Sequence, residues 1–136
     1  MKKGLSQYGF SSDDFRKEEN VDFETISDML KSTAHRVRIN EERGLKTMII
    51  VNFKGHGVID KGLTTQAVLN DSEKPLYPIE QMLRNISKLR GCFVIGLLDC
   101  SRVDWDPEEA DSHSYNLDDA TGPQSLILIF GCEPAR

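Results

Sequence analysis

The chain has 136 residues, which suits one compact domain, and 38% of them are hydrophobic, enough to fill a single core. No apolar run approaches the roughly 18–20 residues that span a bilayer, and Met1-Lys2-Lys3-Gly4 is a basic start without the apolar stretch of a signal peptide, so neither a membrane-spanning helix nor a signal peptide is expected. A net charge of −5 disfavours nucleic-acid binding, which needs a basic face, and three cysteines at irregular spacing argue against a disulfide framework and for a reducing, cytoplasmic setting.

Five elements and one weaker strand are predicted in chain order. Asp22 caps a helix whose apolar positions, Phe23, Ile26, Leu30, Ala34 and Val37, fall three and four apart on one face. Thr47 to Phe53 is short, nearly continuous in apolar residues and rich in β-branched ones, the pattern of a buried strand. Thr64 to Leu69 forms a weaker strand in a hairpin-like excursion. Pro78 opens a second helix with Ile79, Met82, Leu83, Ile86 and Leu89 at helical spacing, and Gly91 ends it. Cys92 to Leu98 and Ser125 to Phe130 are two further buried strands. Between them, Trp105 to Asp119 carries six carboxylates and no Lys or Arg, so it reads as an exposed loop within the domain. Doubly apolar strands separated by helices imply an α/β fold with a mainly parallel sheet and helices on both faces. In such sheets the working residues lie just beyond the carboxyl ends of the strands.

After the first strand come Lys54-Gly55-His56-Gly57. The glycines permit unusual backbone dihedrals and close approach to the imidazole, which fits a general base or acid; a turn histidine without a chemical task fits the local motif equally well. After the second long strand come Asp99-Cys100-Ser101-Arg102. A thiol beside a histidine is the minimal apparatus of a cysteine nucleophile, while a capping Asp with a buried, inert Cys is the commoner arrangement.

Taken together, the two motifs resemble the caspase-like cysteine peptidases, within them the metacaspase and paracaspase branch. That family has an apolar strand ending in Gly-His-Gly, here Met48 to Phe53 and Gly55-His56-Gly57. A helix and a second apolar strand follow, then Asp-x-Cys with Arg after it in many members, here Asp99-Cys100-Ser101-Arg102. Tyr8-Gly9-Phe10 looks like the turn after the family's first helix, and Leu126 to Phe130 with Gly131-Cys132 looks like the strand that opens the small-subunit region. The resemblance covers roughly residues 4–134 and implies one three-layer caspase-like domain over 1–136, a large-subunit core with the start of the small-subunit region and the acidic loop at 104–119.

Two departures stand out. Alignment on Asp99 and Arg102 puts the family's catalytic cysteine at Ser101, with Cys100 one residue early. Successive strand side chains point to opposite faces, so Cys100 does not simply substitute for its neighbour. Ser101 is then a Cys→Ser replacement that silences the enzyme, a natural loss that makes a pseudopeptidase, or the sign of a loop shifted by one with Cys100 as the alternative nucleophile. The first two are preferred. A serine hydroxyl needs a tightly held, oriented base, and no carboxylate is evidently placed to orient His56, so hydrolysis is expected to be very low. The chain also lacks the apolar strand that precedes the Tyr-Gly-Phe region in the family.

The resemblance implies a protein or peptide substrate cut after Arg or Lys, with Asp99 holding the basic side chain. It also implies an oxyanion hole from the N–H groups of Gly57 and residue 101, and a structural Arg102. No cofactor is implied except calcium, on which some metacaspases depend; Asp106, Glu108, Glu109 and Asp111 lack EF-hand spacing and read as a solvated charge run. No nucleic acid or membrane partner is implied, whereas a homodimer or a caspase-like partner is, because the family pairs subunits through a sheet edge. His35 is expected on the surface, His113 in the acidic loop, and Cys92 and Cys132 as buried inert thiols; the three histidines and three cysteines show no zinc spacing. Two functions follow: a cysteine endopeptidase seen with Ser101, or a catalytically dead scaffold that binds peptides or proteins.

Overall fold

The computed structural model describes residues 4, 6–60, 64–104, 117 and 119–131. Two short 3-10 turns, Ser6–Tyr8 and Ser12–Asp14, lead into helix α1, Phe23–Glu42. As predicted, Asp22 caps it: its carboxylate accepts the Thr25 N–H at 2.8 Å, and Phe23, Ile26, Leu30, Ala34 and Val37 are all buried. Strand β1, Thr47–Ile59, is followed by the hairpin strand β2, Thr65–Val68, and a two-residue β3, Leu76–Tyr77, which the sequence did not predict. Helix α2, Ile79–Ser87, follows Pro78 at its N-cap, and Ile79, Met82, Leu83 and Ile86 are each at most 1% exposed. Strands β4, Cys92–Asp104, and β5, Leu126–Phe130, complete the order. Gly91 does not end α2, which stops at Ser87; at φ +73° it makes the left-handed turn that starts β4.

The protein is a mixed α/β fold built on one five-stranded sheet in the order β3-β2-β1-β4-β5. β1, β4 and β5 run parallel, and β2 and β3 add on antiparallel. The long strands overrun their predicted ends. β1 keeps its register with β4 through Ile59 and Asp104, because the hairpin to β2 holds His56 to Ile59 extended from the other side. The two chemical motifs are therefore strand interior and not loops beyond strand ends.

One core lies between the helices and one face of the sheet. α1 gives Phe23, Leu30 and Val37, α2 gives Met82, Leu83 and Ile86, and the sheet gives Val94, Leu98 and Cys100, with Ile49, Val51 and Phe53 packed against them. Each fully buried aliphatic side chain of this kind is worth about 1.5–3 kcal/mol. The predicted cover on both faces differs from what the described residues show. Both α-helices sit on the same face, and Met48, Phe93, Ile127 and Ile129 on the other are 37–53% exposed. Apolar strands do not by themselves specify a helix on each side. Among the described residues no helix is long and apolar enough to cross a membrane.

A buried carboxylate fixes the hairpin. Glu80, 4% exposed in the first turn of α2, accepts the Thr65 N–H at 2.7 Å and pairs with Arg84 at 2.8 Å. The β1–β2 turn is closed by Asp60, which accepts the Thr64 N–H at 3.0 Å and the Gln66 side-chain amide at 3.2 Å.

Candidate active site

Parallel pairing decides which side chains meet. In register across β1 and β4, Lys54 stands beside Asp99, Gly55 beside Cys100, His56 beside Ser101 and Gly57 beside Arg102. Neighbours at the same register share a face and the strands lie about 4.8 Å apart, so the imidazole and the residue-101 side chain start within reach of each other. Both are on the open face: His56 is exposed and Ser101 half-buried. Lys54 and Asp99 lie one step of two residues back along the same strands, also exposed. Four of the chemically active residue types thus form one square on the open side of the sheet.

Cys100 belongs to the opposite face. It is 1% exposed and part of the helix-covered core. A slip of β4 by one residue would bring the thiol to the open face. The same slip would expose Val94 and Leu98, now 0% exposed, and push Asp99 into the core. Burial of those two side chains locks the register that keeps Cys100 off the open face.

The glycines of the histidine motif do other work than predicted. Positive φ among the described glycines occurs at Gly9, Gly44 and Gly91, so Gly55 and Gly57 are not there for unusual dihedrals. A Cβ on Gly57 would lie 2.7 Å from the Ser101 carbonyl oxygen and 2.8 Å from the Cys100 Sγ. Gly57 is glycine because the core side of β4 presses against it. It is also buried between two strands, in register with Ala67 and Arg102. That sets its N–H in the plane of the sheet, toward a neighbouring strand, and not toward a ligand on the open face.

Asp99 has a wall that the sequence did not reveal. At the end of β5 a Cβ on Gly131 would lie 2.6 Å from Asp99 Oδ1, and the Gly131 N–H donates to the Leu98 carbonyl at 3.0 Å. Gly131 makes room for the carboxylate at the rim. Lys54 was also missed as a site residue, although counting by two from His56 along an extended strand places it beside Asp99. The imidazole has no carboxylate as a register neighbour; its partners are Ser101 and Val68.

Among the other predicted residues, His35 is exposed on α1. Cys92 is 7% exposed, and burial pushes its thiol up to about 11. The acidic stretch 105–116 with His113, residue 118, Cys132 and the Arg102 side chain lie outside the described residues. Among the described residues no three His, Cys, Asp or Glu side chains converge on a point that would hold a metal ion.

No protein-family model matches the chain, and neither a curated protein nor a solved structure does.

Proposed function

We propose that the chain is a caspase-like peptidase domain silenced at its nucleophile, which binds peptides bearing a basic side chain without cutting them. The observation that supports this is the register of His56 with Ser101 on one open face, with Asp99 two residues before the nucleophile position. The finer assignment to a three-layer caspase-like fold is part of the same proposal and rests on the paired motifs in their order along the sheet.

In the cysteine form of such a site, the thiolate at position 101 attacks the carbonyl carbon. The C–N bond breaks, the imidazolium of His56 gives its proton to the leaving amine, and water then hydrolyses the thioester. With serine the same geometry falls short. A hydroxyl ionises far less readily than a thiol and needs a base oriented by a third group, and neither register partner of His56 is a carboxylate. Binding does not need that third group. Asp99 offers a carboxylate to a guanidinium, and Lys54 beside it sets a competing charge that the ligand has to displace.

The test is turnover of a fluorogenic peptide ending in Arg, by the chain and by its Ser101→Cys form, with and without calcium. Ser101→Cys is expected to be at least about 10³-fold faster than the parent, and His56→Ala in that background to remove the gain. A folded Ser101→Cys protein that neither cuts nor binds the peptide overturns the proposal.

A further inference from the structure

The sheet has a gap in its pairing. β1 is paired with β4 along all thirteen of its residues, but with β2 only from His56 to Ile59. The other nine, Thr47 to Gly55, have no strand on that side among the described residues. In a strand every second residue turns its N–H and C=O to the same side, so this edge presents a row of backbone donors and acceptors.

Side-chain burial reports the same gap independently. On the core face, Val94, Leu98 and Cys100 of β4 are 0–1% exposed. Ile49, Val51 and Phe53 of β1 face the same helices and are only partly buried. A strand beside β1 would cover them from the flank and pair the backbone in one step.

We infer that the free edge of β1 from Thr47 to Gly55 receives an extended strand of a partner polypeptide. The occupant is about nine residues long and apolar at alternate positions, which lie over Ile49, Val51 and Phe53. Its ends are acidic, because Lys46 and Lys54, both exposed, stand at the two ends of the slot. A second copy of this chain is the poorer occupant: pairing β1 with β1 brings the same lysines to the seam, cation against cation, and β5, with five residues, is too short to fill it. The inference does not depend on the peptidase reading, since the edge lies along the strand before His56.

The test uses a labelled peptide, Glu-Val-Thr-Val-Thr-Val-Thr-Val-Glu, with hydrogen exchange of residues 47–55 as the readout. In the protein alone, the amides facing the free edge are expected to exchange at least about tenfold faster than those of residues 92–100. The peptide should slow them to the rate of the β4 segment. A copy with alternate amide nitrogens methylated, which keeps the side chains and loses the ladder, should not; a copy with Lys for both Glu should bind at least about fivefold more weakly. The inference is overturned by full protection of 47–55 in the protein alone, by equal effects of the methylated and plain peptides, or by no protection at about 1 mM peptide. It is also overturned by protection that rises with protein concentration together with a dimer mass in sedimentation.

Discussion

The imidazole of His56 and the hydroxyl of Ser101 leave neighbouring parallel strands at one register position, on the face opposite the Cys100 thiol. A peptide laid on the open face meets the first two and not the third. In the Ser101→Cys protein, iodoacetamide is therefore expected to label residue 101 at least about a hundredfold faster than Cys100, as read by mass spectrometry of the digest. His56→Ala should slow that labelling, because the thiol at residue 101 loses the imidazole at its register position. Equal labelling of the two thiols would contradict the register.

Gly57 has no room for a methyl group. The atoms it would meet are a backbone oxygen at 2.7 Å and a core sulfur at 2.8 Å, so the strands must part. Gly57→Ala is expected to destabilise the fold by about 1–3 kcal/mol, and Gly57→Ala with Cys100→Ala by less than the sum of the two single changes. Urea unfolding of the four proteins of the cycle decides it. Strict additivity would mean that the sulfur is not the obstacle.

Glu80 joins α2 to the hairpin that holds His56 extended. Glu80→Gln breaks the Arg84 pair and leaves a weaker acceptor for the Thr65 N–H. A loss of about 2–4 kcal/mol is expected, with faster hydrogen exchange in residues 65–68 before the rest of the sheet. If exchange rises evenly over all strands, the carboxylate acts on the core as a whole and not on the hairpin.

Two adjacent leucines on β4 give a direct comparison of the faces. Leu98 is 0% exposed against the helices, while Leu97 lies half-buried on the open face. Leu98→Ala should cost about 2–5 kcal/mol and Leu97→Ala under about 1 kcal/mol, measured by chemical denaturation. Equal losses would show that the open face is covered in solution.

Cys92 links stability to alkaline pH. Its thiol titrates near 9.0 when unperturbed and at about 11 in the fold, because burial disfavours the thiolate. The folded state holds the proton more tightly than the unfolded one. The contribution is therefore complete below pH 9 and is lost as pH rises from 9 toward 11, by about 3 kcal/mol at most. Cys92→Ala should flatten the stability curve across that window.

Elements with strong periodicity were readable directly. The α1 stripe from Phe23 to Val37 and the α2 stripe from Ile79 to Ile86 bury the residues that their spacing selected, and the three apolar runs form strands of which one face packs on the core and the other stays open. What the sequence hid came from pairing. Lys54-Gly55-His56-Gly57 has turn-like composition, yet β2 on one side and β4 on the other hold it extended. Strand alternation placed Cys100 and residue 101 on opposite faces, but which face is covered depends on where the helices pack, and no local pattern encodes that. Glu80 looks like an ordinary first-turn acid until the Thr65 amide arrives from a different element. Gly131 carries no signal beyond its composition, because its task is to stay out of the way of a carboxylate on another strand.

The square of Lys54, His56, Asp99 and Ser101 lies on the open face of the sheet, with Lys54, His56 and Asp99 exposed and Ser101 half-buried. Charges there interact through the high dielectric of water, where a unit pair at 4 Å is worth about 1 kcal/mol, and salt weakens even that. The same pair beneath a layer that excludes water is worth several times more. Ile129 is in register with Leu97, two residues before Asp99, so anything that rests on Ile129 and reaches on over Asp99 also sets the electrical strength of the square. Covering that end of the sheet and sharpening its polar corner are one event.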